Sequence, residues 1–576
     1  MADIDSFMDQ YNSMNDEIKP RFETLKNLDL FVLDNSIRES TVGALRGHTL
    51  QNKIDILAQT KLLGYENNII AAFSHLRRVD DAFINYLKEQ NEDFSKKYAF
   101  AEFYDECDTE THLPTPGIPI GLEKCRDLGV PNVIMECDLA NLPKESQFTH
   151  EKRCKLFEER FAWIRENISE NSRILINLRD LAAAMAKGEK TRKLAFQTID
   201  FLSKHRPQIF GIMTEEPTGQ YFPEQLRNMT RTATNLMRKN EFEGHFLVHI
   251  HQQWGLHNAG NLECLANGAT GIWCSVSEEG AALGHASSAL TIMNLIRLGN
   301  TKVLHKYHCT YLRKAAQRIT KIVTGRPAHP KTPIYGARAV DQVFGLGGMG
   351  GNIGGFGSLD LAQFFDIPLT KRITTLATNQ MIVDRMVRLF GEHPSYNVEM
   401  AEEMKKKMLE DYRDDRKEEY HSPVGLATLF DKAGGKKTPA MLRALAEWDI
   451  KSLHIQQLID EIKGHWKLWD RTDGKMDGDI TFDNFYNAFM KEYFGCYRCP
   501  QTKKALQAIN VVKDENISWD EFEIFLKWAG KEYPETKNAE DLLDVAFLQG
   551  IVPAMQDEVI KSEKKDKSMF HDSHDF

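Results

Sequence analysis

Short apolar runs alternate with amphipathic stretches through the first half of the chain. The runs are LDLFVLD (28–34), NIIAAF (68–73), YAFAEFY (98–104), NVIMECDL (132–139), RILINL (173–178), QIFGIM (208–213), GHFLVHI (244–250) and ATGIWCSV (269–276). Their length and their branched and aromatic content predict strands. Between them the spacing is helical: Leu50, Ile54 and Leu57 fall at i, i+4, i+7, Val79, Phe83 and Tyr86 repeat that interval, and Leu226, Met229, Ala233 and Leu236 form a third stripe. Eight strand-like runs with helices between them, over about 270 residues, predict an α/β fold, a (β/α)8 TIM barrel over 28–300. A doubly wound open sheet is the alternative, because alternation does not reveal closure.

Residues 1–27 precede the barrel, and an all-α region follows it. Residues 301–360 read as a connector, basic and helical at first, ending in the glycine-dense GLGGMGGNIGGFG (345–357). Charged helices are expected over 361–450, where EEMKKKMLEDYRDDRKEE (402–419) reads as a solvated face. A helical module covers 451–545, and the charged segment 546–576 has the composition of a disordered tail.

The 576 residues are 42% hydrophobic and 27% charged, a soluble globular composition. The 73 Lys and Arg against 83 Asp and Glu give a net charge of −10, which argues against nucleic acid or an anionic membrane as partner. No apolar run approaches the roughly 18 residues that span a bilayer. Acids at Asp3, Asp5, Asp9, Asp16 and Glu17, with no apolar core among them, argue against a secretory or mitochondrial leader. Nine cysteines, a low and odd count, fit reduced thiols, so a cytoplasmic location is expected.

The candidate chemistry begins at FLVHIHQQWGLHNAGN. On a strand, His249 and His251 share a face, near the C-terminal end where barrel active sites lie. Paired imidazoles there suit a divalent metal. With 19 histidines, composition alone gives about 0.6 such pairs, so the pair needs support from other strands. The first strand ends in LDNSIREST, which brings Asp34, Arg38 and Glu39 to the same rim. An arginine beside a carboxylate there is either a structural ion pair or a metal ligand with an oxyanion stabiliser. The eighth strand leads into SVSEEGAALGHASS, adding Glu278, Glu279 and His285.

Over roughly 28–340 these segments resemble, in order, the metal-dependent barrels of isopropylmalate synthase, homocitrate synthase and 3-hydroxy-3-methylglutaryl-CoA lyase. That family's D-x-x-x-R-[DE] is matched by Asp34, Arg38 and Glu39, with Glu in the last place as in homocitrate synthases. Its H-x-H-N-D-x-G-L-x-x-A is matched by His249, His251, Gly255, Leu256 and Ala259, and its A-G-A step by Gly268 and Ala269. Glu216-Pro-Thr-Gly219 with Pro223, the loop Gly280 to Ser287, and IVTGRPAHPKTPIYGARA resemble further family segments. The departures are Gln252-Gln253 for Asn-Asp, Glu216-Pro217 for Asp-Thr, His285 for the loop Asn, and Gln342 for a proton-transfer histidine. The lyase's glycine-loop cysteine has no counterpart. The resemblance thus implies a retained metal cluster with a rewritten substrate shell.

A set of Glu39, His249, His251 and His285 would suit Zn²⁺, Mn²⁺ or Fe²⁺ better than Mg²⁺. The expected substrate is a small carboxylic acid, a 2-oxo or 2-hydroxy acid, whose C–C bond is formed or cleaved with or without an acyl-CoA. Arg38 would stabilise negative charge on the reacting oxygen. His257, Glu216 and Asp180 are the candidate acid/base groups, and each has an outer or surface role as its alternative. Asp105 and Asp138 read as solvated. A homo-oligomer is compatible with all of this.

Three weaker signals remain. Gly345, Gly347 and Gly350 spell G-x-G-x-x-G but follow no strand, so a loop near the mouth is the better reading. Cys496 and Cys499 form a lone C-x-x-C, read as ordinary thiols. DGKMDGDITFDNF (473–485) and NVVKDENISWDEF (510–522) resemble a degenerate EF-hand pair, with loop isoleucines Ile480 and Ile517 in equivalent places. Asp473, Asp477, Thr481, Asp514 and Glu521 are its calcium-ligand candidates. Lys475 and Val512 at ligand positions, and Asn484 where a bidentate Glu belongs, weaken coordination. A non-catalytic barrel scaffold with a partner-binding or calcium-responsive EF-hand-like module is therefore the second reading.

Overall fold

A computed structural model describes residues 4–38, 48–73, 79–105, 113–140, 148–206, 208–280, 284–340, 361–367, 372–414, 416, 420–470, 478–493, 509, 515–532 and 536–546. They fall into two compact units, one ending at residue 370 and one beginning at 371. No helix among the described residues is long and apolar enough to cross a membrane.

The first unit is a closed parallel barrel of eight strands in sequence order. They are β1 (Phe31–Asp34), β2 (Asn68–Ala72), β3 (Lys97–Glu102), β4 (Asn132–Asp138), β5 (Leu175–Arg179), β6 (Gly211–Glu216), β7 (His245–Ile250) and β8 (Gly271–Cys274). Helix α1 (Ile4–Asn27) precedes them. The barrel helices are α2 (Leu50–Leu62), α3 (Val79–Glu89), α4 (Ile120–Asp127), α5 (His150–Asn167), α6 (Leu181–Ala186), α7 (Glu189–Lys204), α8 (Pro223–Lys239), α9 (His257–Leu265) and α10 (Ser288–Arg297). Pairing of Phe31 with Gly271 through Asp34 with Cys274 closes the ring, which excludes the open sheet.

The strands carry apolar residues on both faces, as expected where helices cover the outside. Leu33, Ile69, Tyr98, Phe100, Ile134, Leu175, Met213, Leu247 and Trp273 fill the interior. Val32, Ile70, Ala99, Val133, Ile176, Ile212, Val248 and Ile272 pack outward beneath the helices. Phe31, Phe210 and His245 plug the N-terminal end, with ring centroids 4.2–5.9 Å apart. The opposite end is left for polar side chains. Strand β8 enters through Gly271, where a Cβ would lie 2.1 Å from the Phe31 carbonyl oxygen, so the closing seam requires glycine. After the barrel, Leu361, Phe364, Phe365 and Ile367 still pack on its core.

The second unit is helical with separate cores. One is formed by α14 (Asn379–Phe390), α15 (Val398–Arg413) and α16 (Pro423–Lys432), which follow the short α13 (Leu361–Phe364) and, before it, α11 (Thr301–Lys306) and α12 (Leu312–Thr324) of the first unit. The other gathers Trp466, Phe485, Trp519 and Phe522 around the end of α17 (Pro439–Asp470). There, short strands β9 (Asp479–Thr481) and β10 (Asn516–Ser518) pair antiparallel with Ile480 opposite Ile517, each preceding a helix.

Candidate functional site

Interior alternation carries on to the C-terminal ends of the strands, where polar residues replace apolar ones. Glu102 follows Phe100, Glu136 follows Ile134, Asn177 and Arg179 follow Leu175, Glu215 follows Met213, and His249 and His251 follow Leu247. Strand register sets these side by side: Glu102 opposite Glu136, Glu136 opposite Asn177, Arg179 opposite Glu215, and Glu215 opposite His249. Trp273 forms the floor, buried, with its indole N–H on the Thr214 carbonyl at 3.1 Å. His249 stacks on it at 4.1 Å, and the Arg38 guanidinium lies 4.4 Å over the Phe100 ring.

The three predicted histidines come together. His249 Nδ1–H donates to the Trp273 carbonyl at 2.6 Å, and His285 Nδ1–H donates to the Ala286 carbonyl at 3.0 Å. Since a carbonyl only accepts, each ring in its neutral form keeps Nε2 as the lone-pair nitrogen. His249 Nε2 lies 3.2 Å from His251 Nε2, and His285 Nε2 lies 3.2 Å from Ser275 Oγ. The His285 ring centroid is 4.9 Å from that of His249 and 6.4 Å from that of His251. The loop carrying His285 is fixed to the end of β7 by Gln252 N–H on the Gly284 carbonyl and Ala286 N–H on the Ile250 carbonyl, each at 3.0 Å. Gly219 (φ 63°) packs so closely under this turn that a Cβ would meet the His251 carbonyl oxygen at 2.5 Å.

Do these residues fit a metal? Two nitrogens in adjacent positions on one ion, each about 2.1 Å from it, lie roughly 3.0–3.4 Å apart. The His249–His251 separation is within that interval, and the tautomer of His249 presents the required lone pair. Glu215 Oε1 lies 3.3 Å from His251 Nε2 as a neighbouring carboxylate. Among the described residues, no three His, Cys, Asp or Glu side chains form a complete ligand set. Glu39 lies outside the described residues. The donors that are described fit part of a coordination sphere.

A layer of carboxylates runs along the rim from β3 to β6, with Glu215 beside His251. Burial pushes Glu136 up to about 7, with the Glu215 and Glu102 charges adding to it, against Arg179 and Arg38. Arg179 Nη1 donates to Glu136 at 3.2 Å, and Asn177 Nδ2 stands 3.5 Å from both Glu136 and Glu215. Burial acts to raise Glu215 too, but its bond to His251 and the charges of Arg38 and Arg179 hold it below the ordinary carboxylate value.

Of the other candidates, Glu216 and His257 are placed elsewhere. Glu216 pairs with Ile250, on the outward parity, and its carboxylate accepts from the N–H and hydroxyl of Thr218. His257 begins α9 with Nε2 3.0 Å from Glu278, and Glu279 accepts from Thr320 at 2.8 Å, so the acids of the eighth loop are engaged by His257 and Thr320. Asp180 follows β5 in the left-handed region (φ 52°), and its N–H donates to the Glu215 carbonyl at 3.0 Å. Burial raises its carboxyl. Asp105 accepts from the Ile120 N–H and Asp138 from the Ala140 N–H, both at 2.9 Å.

Sequence reading missed Glu102, Glu136, Arg179 and Glu215. Parity with Met213 could have preferred Glu215 to Glu216, but with both faces apolar the sequence did not say which face turns inward. Of the calcium-ligand candidates, Asp473, Asp477 and Asp514 lie outside the described residues, as do Cys496, Cys499 and the 345–357 loop. Thr481 Oγ1 accepts from the Asn484 N–H, and Glu521 accepts from the N–H and hydroxyl of Ser518, so both act as helix caps.

No family model matches the chain, and no curated protein matches it. Among solved structures, it is similar to HMG-CoA lyase of Bacillus subtilis, at 15% identity and TM-score 0.39, over 52% of this chain and 95% of that one. It is also similar to an HMG-CoA lyase of Acinetobacter baumannii in complex with coenzyme A and 3-methylmalate, at 13% identity and TM-score 0.40, over 52% and 93%. A third similarity is to the carboxyl transferase domain of Rhizobium etli pyruvate carboxylase with pyruvate and biocytin, at 10% identity and TM-score 0.35, over 55% and 53%. Identities and scores this low leave the chemistry to be argued from the residues of this chain.

Proposed function

We propose that this chain is a divalent-metal-dependent enzyme that forms or cleaves a C–C bond of a 2-oxo or 2-hydroxy acid, with or without an acyl-CoA. The observation that carries this reading is the approach of His249 and His251 through their Nε2 atoms, 3.2 Å apart, at the C-terminal mouth of the barrel. His249, His251 and His285, with Glu39, would hold the ion. When bound, it supplies Lewis-acid polarisation of the substrate's carbonyl or hydroxyl oxygen. Arg38, fixed over Phe100, offers permanent positive charge to the substrate carboxylate or a developing enolate. The Trp273 and Phe100 floor keeps water from beneath the reacting carbon. Glu136 is the proton carrier in this reading, because its raised pKa allows both protonation states near neutrality. Asp180 is the second candidate.

The test is metal analysis of the purified full chain, followed by a screen of 2-oxo acids with and without acetyl-CoA. About one zinc, manganese or iron per chain is expected, lost in a His249→Ala/His251→Ala double variant together with any turnover. A metal-free protein whose double variant behaves identically would falsify the reading. For the second unit, the Ile480–Ile517 pairing between two helix-preceding strands supports an EF-hand-like pair. Calcium binding there is tested by titration of the metal-loaded enzyme with EGTA present and absent.

A further inference from the structure

A cleft of about 830 Å³ opens on the outer wall of the barrel, between α1 and α8, reaching the turn before β8. Helix α8 buries Leu226, Met229, Ala233 and Met237 against the barrel, so its next flank faces the cleft. That flank carries Arg227, Arg231 and Arg238, with Asn228 and Asn235 between them. Among the described residues, Arg227 and Arg238 hydrogen-bond only to these neighbouring asparagine oxygens, at 3.5 and 2.9 Å. None of the three guanidinium groups is paired with a carboxylate among the described residues. Across the cleft, Arg21 of α1 is neutralised by Glu263, which leaves Glu17 as the acid in the lining. Three cations against one anion, in a chain of net charge −10, is a local inversion of sign.

The chemistry of the lining selects a ligand class. Arginine forks match phosphoryl oxygens in two parallel hydrogen bonds. Along α8 the three positions span about 6 Å from Arg227 to Arg231 and about 16 Å from Arg227 to Arg238. One phosphate cannot engage all three, whereas an extended ligand can. Gly268 preserves the arrangement: at φ 112°, a Cβ there would come within 2.8 Å of Arg238 Nη2 and 2.6 Å of Thr234 Oγ1.

We propose that this cleft binds a soluble ligand carrying two or more phosphoryl groups, at a site distinct from the barrel mouth. It does not depend on the metal reading, and either can fail alone. The test is calorimetric titration of the full chain with inorganic tripolyphosphate, ATP and orthophosphate. Vesicles with and without a phosphoinositide form a separate arm. Saturable binding of tripolyphosphate or ATP near one per chain is expected, weakening with salt and stronger than for orthophosphate. Arg231→Glu/Arg238→Glu should weaken it by about tenfold or more, and Gly268→Ala several-fold with no change of charge. Lys405→Glu/Lys406→Glu on α15, an equal change in net charge elsewhere, should leave it intact. Melting curves establish that the variants are folded. The proposal is overturned by absent binding at low salt, by binding that survives the α8 reversal, by equal loss in the α15 control, or by retention on phosphoinositide vesicles without binding of the soluble probes.

Discussion

Glu136 illustrates what one side chain inherits from its surroundings. Its carboxyl sits in the polar layer above Ile134, facing Glu215 and Glu102, and burial with two neighbouring acids pushes it up to about 7. Glu136→Gln should lower turnover by roughly 10²–10⁴-fold and remove the limb of the pH–rate profile near pH 7, with metal content unchanged. A profile that keeps this limb assigns the proton to another group. Asp34, the first residue of the D-x-x-x-R-E motif, is different in kind. It lies buried behind β1, where burial raises its carboxyl to about 6 against hydrogen bonds from Ser36 and Asn68. An acid whose folded value exceeds its unfolded value, 3.8, favours the fold fully below about pH 4 and loses that contribution as pH rises through about 6. Asp34→Asn should therefore match the parent near pH 4 and escape a loss on the order of 3 kcal/mol by pH 7. Urea midpoints across that range measure it, and parallel curves would contradict it. The histidines and Arg38 were legible as residues because their spacing carries the chemistry. Glu136 and Glu215 were not, because an acid at the end of an apolar run has no local mark of facing inward.

At the level of elements, the candidate site depends on strand register. Pairing of β6 with β7 puts Glu215, not Glu216, beside His249, and a slip of one residue would exchange them. Register around the ring is closed at the β1–β8 seam, where Gly271 meets the Phe31 carbonyl. Gly271→Ala should cost about 2–4 kcal/mol and, by displacing β8, loosen Trp273 beneath His249, so metal affinity should fall with stability. Thermal melting and metal titration read the two effects together, and an alanine variant with parental values would show the seam to be more pliant than the 2.1 Å approach indicates. The equivalent places of Ile480 and Ile517 in two sequence segments are legible because a repeated local pattern survives without knowledge of packing, whereas their pairing across β9 and β10 is a tertiary fact.

For the whole molecule, separate cores predict separate transitions. The barrel buries one contiguous apolar core outside its strands and another inside them, and the helical unit has its own. Differential scanning calorimetry should resolve at least two transitions, with added metal raising only one, and His249→Ala/His251→Ala should abolish that rise. A single transition that moves as a whole would show the units to be thermodynamically coupled. By itself, the sequence determined the alternation of strands and helices, the strand count and the histidine pair, because these depend on periodicity and residue type within a few positions. Closure of the ring, the inward face of each strand, the carboxylate layer and the arginine cleft of α8 were decided only by tertiary structure. Each of them is a relation between side chains distant in sequence, fixed when packing and hydrogen-bond register select one arrangement among those the local pattern allows.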